Sequence, residues 1–201
     1  MRFRILALAA LLPGMAVSAD WDRAKIQGST TAPVAIEVYS SFDCPHCRIL
    51  HEGMMQRIVK DLVLTGMACV VSREFPLGGP YHIHSREAAN LATAAARIGK
   101  YQAVADALYK NQETWEVNGK VWETVASALS PTEQAKVKAL ANDPGVLAEV
   151  QKDYEQCVAS GISETPTLMV IRQKDGKRYP FVGIPPNYEL FRDFIVKDLA
   201  K

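Results

Sequence analysis

The sequence predicts a split α/β fold: strand, helix, strand, then a block of helices, then a β-hairpin and a closing helix. Three observations predict it. Residues 34–40 (VAIEVYS) are a short run rich in β-branched side chains, followed within a few residues by Cys44-Pro45-His46-Cys47. Residues 85–140 carry alanine-rich stretches with Leu, Val and Trp at helical spacing. Residues 167–172 and 179–182 flank a Lys174-Asp175-Gly176-Lys177 turn, which reads as a hairpin.

The elements follow in order. Arg2 and Arg4 precede an apolar run at 5–12, Pro13 and Gly14 break it, and Val17-Ser18-Ala19 offers small residues for cleavage after Ala19. Residues 1–19 are therefore expected to be a signal peptide, since the run is too short to cross roughly 30 Å of hydrocarbon. Export to the periplasm, or to another exported location, would place the cysteines in an oxidising compartment. Residues 20–33 are polar and irregular. A strand at 34–40, a helix from about 44 to 61 and a second strand at 67–75 come next, then a Pro/Gly loop at 76–80. Ser130-Pro131-Thr132-Glu133 has the form of a capping box, Asp143-Pro144 opens a further helix, and Gly161 closes it. After the hairpin, Pro185-Pro186 introduces a last helix running to 199.

Composition narrows the function. The chain has 201 residues, 48% apolar and 22% charged, with a formal net charge of +1. That excludes a disordered tail and a polytopic membrane protein, and gives no basic surplus for nucleic acid. Four cysteines are too few for a disulfide framework.

The chemistry gathers at Cys44-Pro45-His46-Cys47. In the first turn of a helix, unpaired N–H groups and the helix dipole favour a thiolate at Cys44. Pro45 costs no hydrogen bond there. His46 adds a charge or a donor beside the sulfur. Cys47, three residues on, shares the helix face and is within reach of a disulfide. A stabilised thiolate favours the reduced pair and a good leaving group, so the oxidised pair is an oxidant. Two other readings of the motif are an inert structural disulfide and half a zinc site, the latter without a second half. Cys44 is expected to be the exposed, acidic thiol and Cys47 the shielded one. Thr165-Pro166 stands immediately before an apolar strand, where a proline lacking a ladder donor is tolerated.

With these features in this order, the chain resembles the DsbA-type thiol:disulfide interchange proteins. Ala32-Pro33-Val34, Phe75-Pro76-Leu77 and Asn111-Gln112 with Trp115 extend the resemblance over nearly all of the chain after residue 19. It implies a thioredoxin fold (βαβ plus ββα) with an inserted all-helical subdomain, the former at 20–79 and 161–201, the latter at 80–160. It implies Cys44 as nucleophile, Cys47 as resolving thiol, a cis Pro166 beside them, and a Thr165 backbone that pairs with extended substrate. One position departs. Such folds commonly carry a buried Asp or Glu six residues before the nucleophile. Here Val38 stands there, and strand alternation turns Glu37 to the other face. Water or His46 would then move the proton of Cys47.

Cys69 and Cys157 are expected to point inward and, in an oxidising compartment, to form a second, structural disulfide. His51, His82 and His84 are expected to be surface or loop residues. The resulting expectation is an exported dithiol oxidase with no cofactor and no metal. The alternatives are a disulfide isomerase or reductase, and a thiol-based metal-binding or chaperone module. Residues 20–33 read as too short for a separate dimerisation domain, and a monomer is expected. Expected partners are reduced or unfolded exported proteins and a membrane quinone-linked re-oxidant of the DsbB or VKOR-like type, with no nucleic acid.

Overall fold

The computed structural model describes residues 22–201, so the expected signal peptide at 1–19 lies outside the described residues. Strands β1 (Ile26–Gln27), β2 (Val34–Ser40), β3 (Ala68–Glu74), β4 (Thr167–Arg172) and β5 (Lys177–Val182) form one sheet in the order β1-β3-β2-β4-β5. β2 runs parallel to β3 and antiparallel to β4. Its central place explains why it is buried from Val34 through Tyr39, because both of its faces are covered. The two-residue β1 on the β3 edge was not legible in the polar segment that holds it. Pro180 is tolerated in β5 because that strand is an edge.

Val34, Ile36 and Val38 of β2 meet Leu50, Ile58, Leu62, Phe191 and Ile195 on one face of the sheet. Ala35 and Tyr39 join Cys69, Phe75, Cys157 and Met169 on the other. The first face is covered by α1 (Pro45–Glu52), α2 (Met54–Ile58) and a π-helical turn at Val59–Val63. The single helix expected at 44–61 is thus broken. Gly53 adopts φ −108°, ψ −90°, outside the helical region, and its N–H closes α1 on Ile49 O at 3.1 Å.

Between β3 and β4 run α3 (Ser85–Ala96), α4 (Tyr101–Lys110), α5 (Gln112–Asn118), α6 (Val121–Ser127), α7 (Pro131–Leu140) and α8 (Pro144–Ala159). Gly119, at φ +70°, ends α5 in the left-handed conformation. α7 starts where the Glu133 carboxylate accepts from Ser130 N at 2.8 Å. Asp143 caps α8 by accepting from Gly145 N and Val146 N. The core of this helical block, from Ala88 through Trp115 to Val146, is continuous with Phe42, Cys44 and Cys47. The last helix starts later than the two prolines suggest. Asn187 accepts from Leu190 N, α9 spans Tyr188–Asp193, and a π-helical segment at Phe194–Leu199 follows. Among the described residues no helix is long and apolar enough to cross a membrane.

Charged groups are buried on the face away from α1. Lys25 Nζ and Arg73 Nη1 each donate to Asp153 of α8 at 2.8 Å. Arg73 Nη2 donates to Glu37 at 2.9 Å, and Arg178 and the Tyr39 hydroxyl donate to the same carboxylate. Lys25, Arg73, Glu37 and Asp153 are all at most 1% exposed. The cluster ties the N-terminal segment and α8 to the sheet. Its net contribution is small, because two desolvations offset the attraction, but removing one partner strands a buried charge. Asp153→Ala should therefore cost about 3–5 kcal/mol in chemical denaturation. A loss below about 1 kcal/mol would mean that water replaces the carboxylate without penalty.

Candidate active site

The site is assembled where the carboxyl end of β2 passes into α1. Cys44 is the residue that caps α1, with extended φ/ψ (−86°, 119°), and Pro45 takes the first helical position. Arg48 N closes the first turn on Cys44 O at 3.1 Å, and Cys44 N donates to Ser41 O at 3.2 Å. The helical block fixes this turn from outside. Gln112 Nε2 donates to Phe42 O at 2.6 Å and to Cys44 O at 3.1 Å. The buried amide of Gln112 thus satisfies Phe42 O and gives Cys44 O a second donor beside Arg48 N.

The two thiols are in different environments. Cys44 is held well below the usual thiol range, at about 5. The Cys47 thiol donates to its sulfur, and the Thr165 side chain and the backbone N–H groups of Cys47 and His46 also favour the thiolate, against an opposing effect of burial. Cys47 is pushed far above the range, first by burial and then by the negative charge of Cys44. When protonated, Cys44 Sγ donates to Thr165 O at 3.4 Å, and the Thr165–Pro166 peptide is cis. Residues 44, 47, 165 and 166, predicted separately, are thus brought into one place.

Two expectations are corrected. Cys44 is not an exposed thiol: it is 5% exposed against 1% for Cys47, because the Thr165 carbonyl and the helical block cover it. The exposed residues of the motif are Pro45 and His46. His46 acts on Cys44 through its backbone N–H, while its ring stands toward solvent. Cys69 and Cys157 point inward as expected, and all four cysteines, the Cys44–Cys47 pair included, are in the thiol form in this structure. Cys69 and Cys157 are fully buried in one apolar cluster, and burial raises them to about 11 and about 12, respectively. Thiols so raised carry almost no thiolate at neutral pH, which makes them poor partners in exchange.

Several neighbours of the dithiol had no signal in the motif. His82, expected to be a loop residue, is half-buried and its Nδ1 donates to Asp43 Oδ2 at 2.8 Å, one residue before Cys44. Ser41 donates to the other carboxylate oxygen at 2.5 Å. Tyr109 of α4 packs on Phe42 with ring centroids 5.0 Å apart and on His51 at 4.5 Å. His51 in turn pairs with Asp106 at 2.7 Å. As the alternation of β2 requires, Glu37 lies on the opposite face with Arg73, and Val38 stands beneath α1. Among the described residues, no three His, Cys, Asp or Glu side chains gather as a metal site. The site is therefore a dithiol with one stabilised thiolate, one shielded thiol and a cis-proline loop against it, on a βαβ–helices–ββα frame.

That combination defines a thioredoxin-fold protein with a helical insertion. The chain belongs to the thioredoxin family, whose model matches residues 22–194, and its fold is like that of solved DsbA proteins. Among solved structures it is similar to alpha-DsbA1 of Wolbachia pipientis: TM-score 0.70 at 20% identity, covering 88% of this chain and 90% of that one. A thioredoxin-like oxidoreductase from Silicibacter pomeroyi matches with TM-score 0.68 at 22% identity, over 86% of this chain and 90% of that one. Among curated proteins, the Na(+)/H(+) antiporter NhaA 1 of Mycolicibacterium vanbaalenii is 30% identical over 158 residues, which are 76% of this chain and 24% of that one. The chain thus spans about a quarter of the length of the curated relatives it matches first. A Rickettsia bellii protein, provisionally named a protein-disulfide oxidoreductase, is 24% identical over 161 residues, 80% of this chain and 54% of that one.

The titration of Cys44 is directly measurable. In the reduced protein, alkylation of Cys44 should be half-maximal near pH 5, with Cys47 unreactive up to pH 9. A folded value below the unfolded one, 9.0, stabilises the fold above the unfolded value, and the gain fades as pH falls toward about 5. Denaturation curves of the reduced and oxidised forms should therefore diverge from pH 5 upward, in favour of the reduced form. Curves that stay parallel across that window would mean that no thiolate is stabilised by the fold.

Proposed function

We propose that this chain is an exported dithiol oxidase, which introduces disulfides into reduced proteins through a Cys44–Cys47 redox pair. The observation that carries the reading is the asymmetry of the two thiols. Stabilising the Cys44 thiolate stabilises the reduced pair, and so makes the oxidised pair give up its disulfide readily. Export is supported by the pattern of residues 1–19.

The reaction has two exchanges. A substrate thiolate attacks Cys44 Sγ of the disulfide, entering beside the exposed Pro45 and His46. The new bond joins substrate sulfur to Cys44, and the old bonding pair departs on Cys47. A second substrate thiolate then attacks the substrate sulfur of this mixed disulfide, and Cys44 leaves as the stabilised thiolate. The substrate is oxidised by two electrons and the enzyme is reduced. An extended substrate lies against Thr165, whose backbone ends the loop before β4. A membrane quinone-linked partner of the DsbB or VKOR-like type takes the electrons and restores the disulfide.

The oxidised protein should convert the thiols of a reduced, unfolded protein to disulfides in stoichiometric amounts. Cys44→Ser should abolish this and Cys47→Ser should accumulate mixed disulfide. The reduction potential of the pair should lie at or above about −180 mV. A value near the thioredoxin range of about −270 mV, with reduction or reshuffling of existing disulfides, would replace the oxidase reading with a reductase or isomerase.

A further inference from the structure

Opening the Cys44–Cys47 disulfide leaves negative charge on Cys47, a sulfur 1% exposed that is the stronger base of the pair. A proton has to reach it. A cavity of about 140 Å³ borders Cys47, and its wall includes Glu74, Tyr101 and Tyr109. Gln56, Gln102 and Asp106, none of them buried, line the same cavity and connect it to solvent. The volume is several times what one water needs, and polar groups line it.

Glu74 reaches the cavity by strand register. It is the last residue of β3 and pairs with Ser40, the last of β2. Val70 and Ser72 of β3, and Val38 and Ser40 of β2, line the same space, so Glu74 stands on the face that α1 covers. Its carboxyl is 2% exposed and accepts from the Tyr101 hydroxyl at 2.7 Å. The nearby cations are engaged elsewhere: Lys25 and Arg73 both donate to Asp153.

We propose that Glu74 is the proton donor to Cys47, delivering its proton across water in this cavity when a substrate opens the disulfide. The proposal rests on the dithiol-oxidase reading. The substrate thiolate supplies the pair for its bond to Cys44, the Cys44–Cys47 pair leaves on Cys47, and the Glu74 proton neutralises it. The carboxylate is then reprotonated from solvent at the Gln56–Gln102 side. In the reverse direction Glu74 takes the proton back.

The electrostatics fit that task. Burial raises Glu74 to about 7, against lowering by Lys25 and the Tyr101 hydrogen bond and with Asp153 raising it further. Both protonation states are therefore present at neutral pH, as proton transfer in both directions requires. Of the other groups facing the cavity, Tyr101 and Tyr109 are raised well above the ordinary tyrosine value and stay neutral, and His51 is paired with Asp106.

The test uses the full chain and Glu74→Gln, which keeps the size of the side chain and an acceptor for Tyr101. Oxidised protein is mixed with a reduced cysteine peptide, and mixed disulfide is quantified by rapid acid quench between pH 5 and 9, corrected for ionisation of the peptide thiol. The wild type should show an inflection near pH 7 that Glu74→Gln lacks, with the variant about tenfold slower at pH 6. Tyr101→Phe should move the inflection upward, because its hydroxyl lowers Glu74. Infrared spectra of the wild type should contain a protonated-carboxyl band that titrates near pH 7 and is missing from Glu74→Gln. Alkylation of Cys44 in the reduced variant should keep its wild-type pH dependence, which separates loss of the proton donor from loss of the fold. Wild-type exchange with an unchanged Glu74→Gln profile, or no such band, overturns the proposal alone. Absence of exchange in the wild type overturns the oxidase reading and this proposal with it. Should Glu74→Gln fail to fold, an inflection unmoved in Tyr101→Phe overturns the proposal.

Discussion

The sulfur of Cys44 carries negative charge in a place largely closed to bulk water, and neutral dipoles meet that charge. The Cys47 thiol, the Thr165 side chain and the backbone N–H groups of residues 46 and 47 all point to one atom. Each of these donors is supplied by a different constraint. The helix turn orients the N–H groups, the three-residue spacing brings Cys47 to the same side, and the cis Thr165–Pro166 loop brings Thr165. Dipoles fixed by the fold need no reorganisation when the charge appears or disappears. A cation at the same point would favour the thiolate too, but would also bind it as an ion pair and screen it from an approaching sulfur.

The helical block is part of that arrangement as well as a cover. Gln112 holds the carbonyls of residues 42 and 44, and thereby the angle at which β2 enters α1. Phe42 and Tyr109 fill the space beneath. Because the core of the block is continuous with both Cys44 and Cys47, a shift of the insertion would move the donors of Cys44. The opposite face of the sheet is organised differently. There the polar groups are mutually paired, with Glu37 and Asp153 between Arg73, Arg178 and Lys25. One face surrounds a single sulfur with hydrogen-bond donors, and the other ties strands and α8 together through ion pairs.

Much of this was legible in order along the chain. The bounds of β2 and β4 follow from β-branched runs, and the starts of α7 and α8 follow from Ser130-Pro131 and Asp143-Pro144, because period and capping are local properties. The Cys-Pro-His-Cys turn and Thr165-Pro166 were legible as motifs. What the sequence hid was decided by neighbours distant in the chain. Gly53 breaks a helix that apolar spacing alone would continue. The shielding of Cys44 comes from residues 112 and 165, far from its own turn. His82 reaches Asp43 across a loop whose path no local pattern gives. The inward faces of Cys69 and Cys157 were readable from strand and helix period, but whether the two sulfurs are joined depends on how α8 settles on β3.

The placing of acids shows why a position-by-position reading was incomplete. Counting back along β2 from Cys44 gives Val38 under α1 and Glu37 on the far face, so that strand carries no carboxyl toward the dithiol. A sheet, however, presents a face composed of several strands. The parallel register sets Glu74 beside Ser40, and the alternation that turns Glu37 away on β2 turns Glu74 toward α1 on β3. The two carboxyls then meet opposite surroundings. Glu37 accepts from two guanidinium groups and a tyrosine hydroxyl. Glu74 is buried, which favours the neutral acid against the opposing effect of the Tyr101 hydroxyl that donates to it. Acids whose environments drive them apart divide the roles of fixed charge and exchangeable proton between them. In this fold the division falls on adjacent strands, and register is what carries the exchangeable proton to the side where Cys47 is buried.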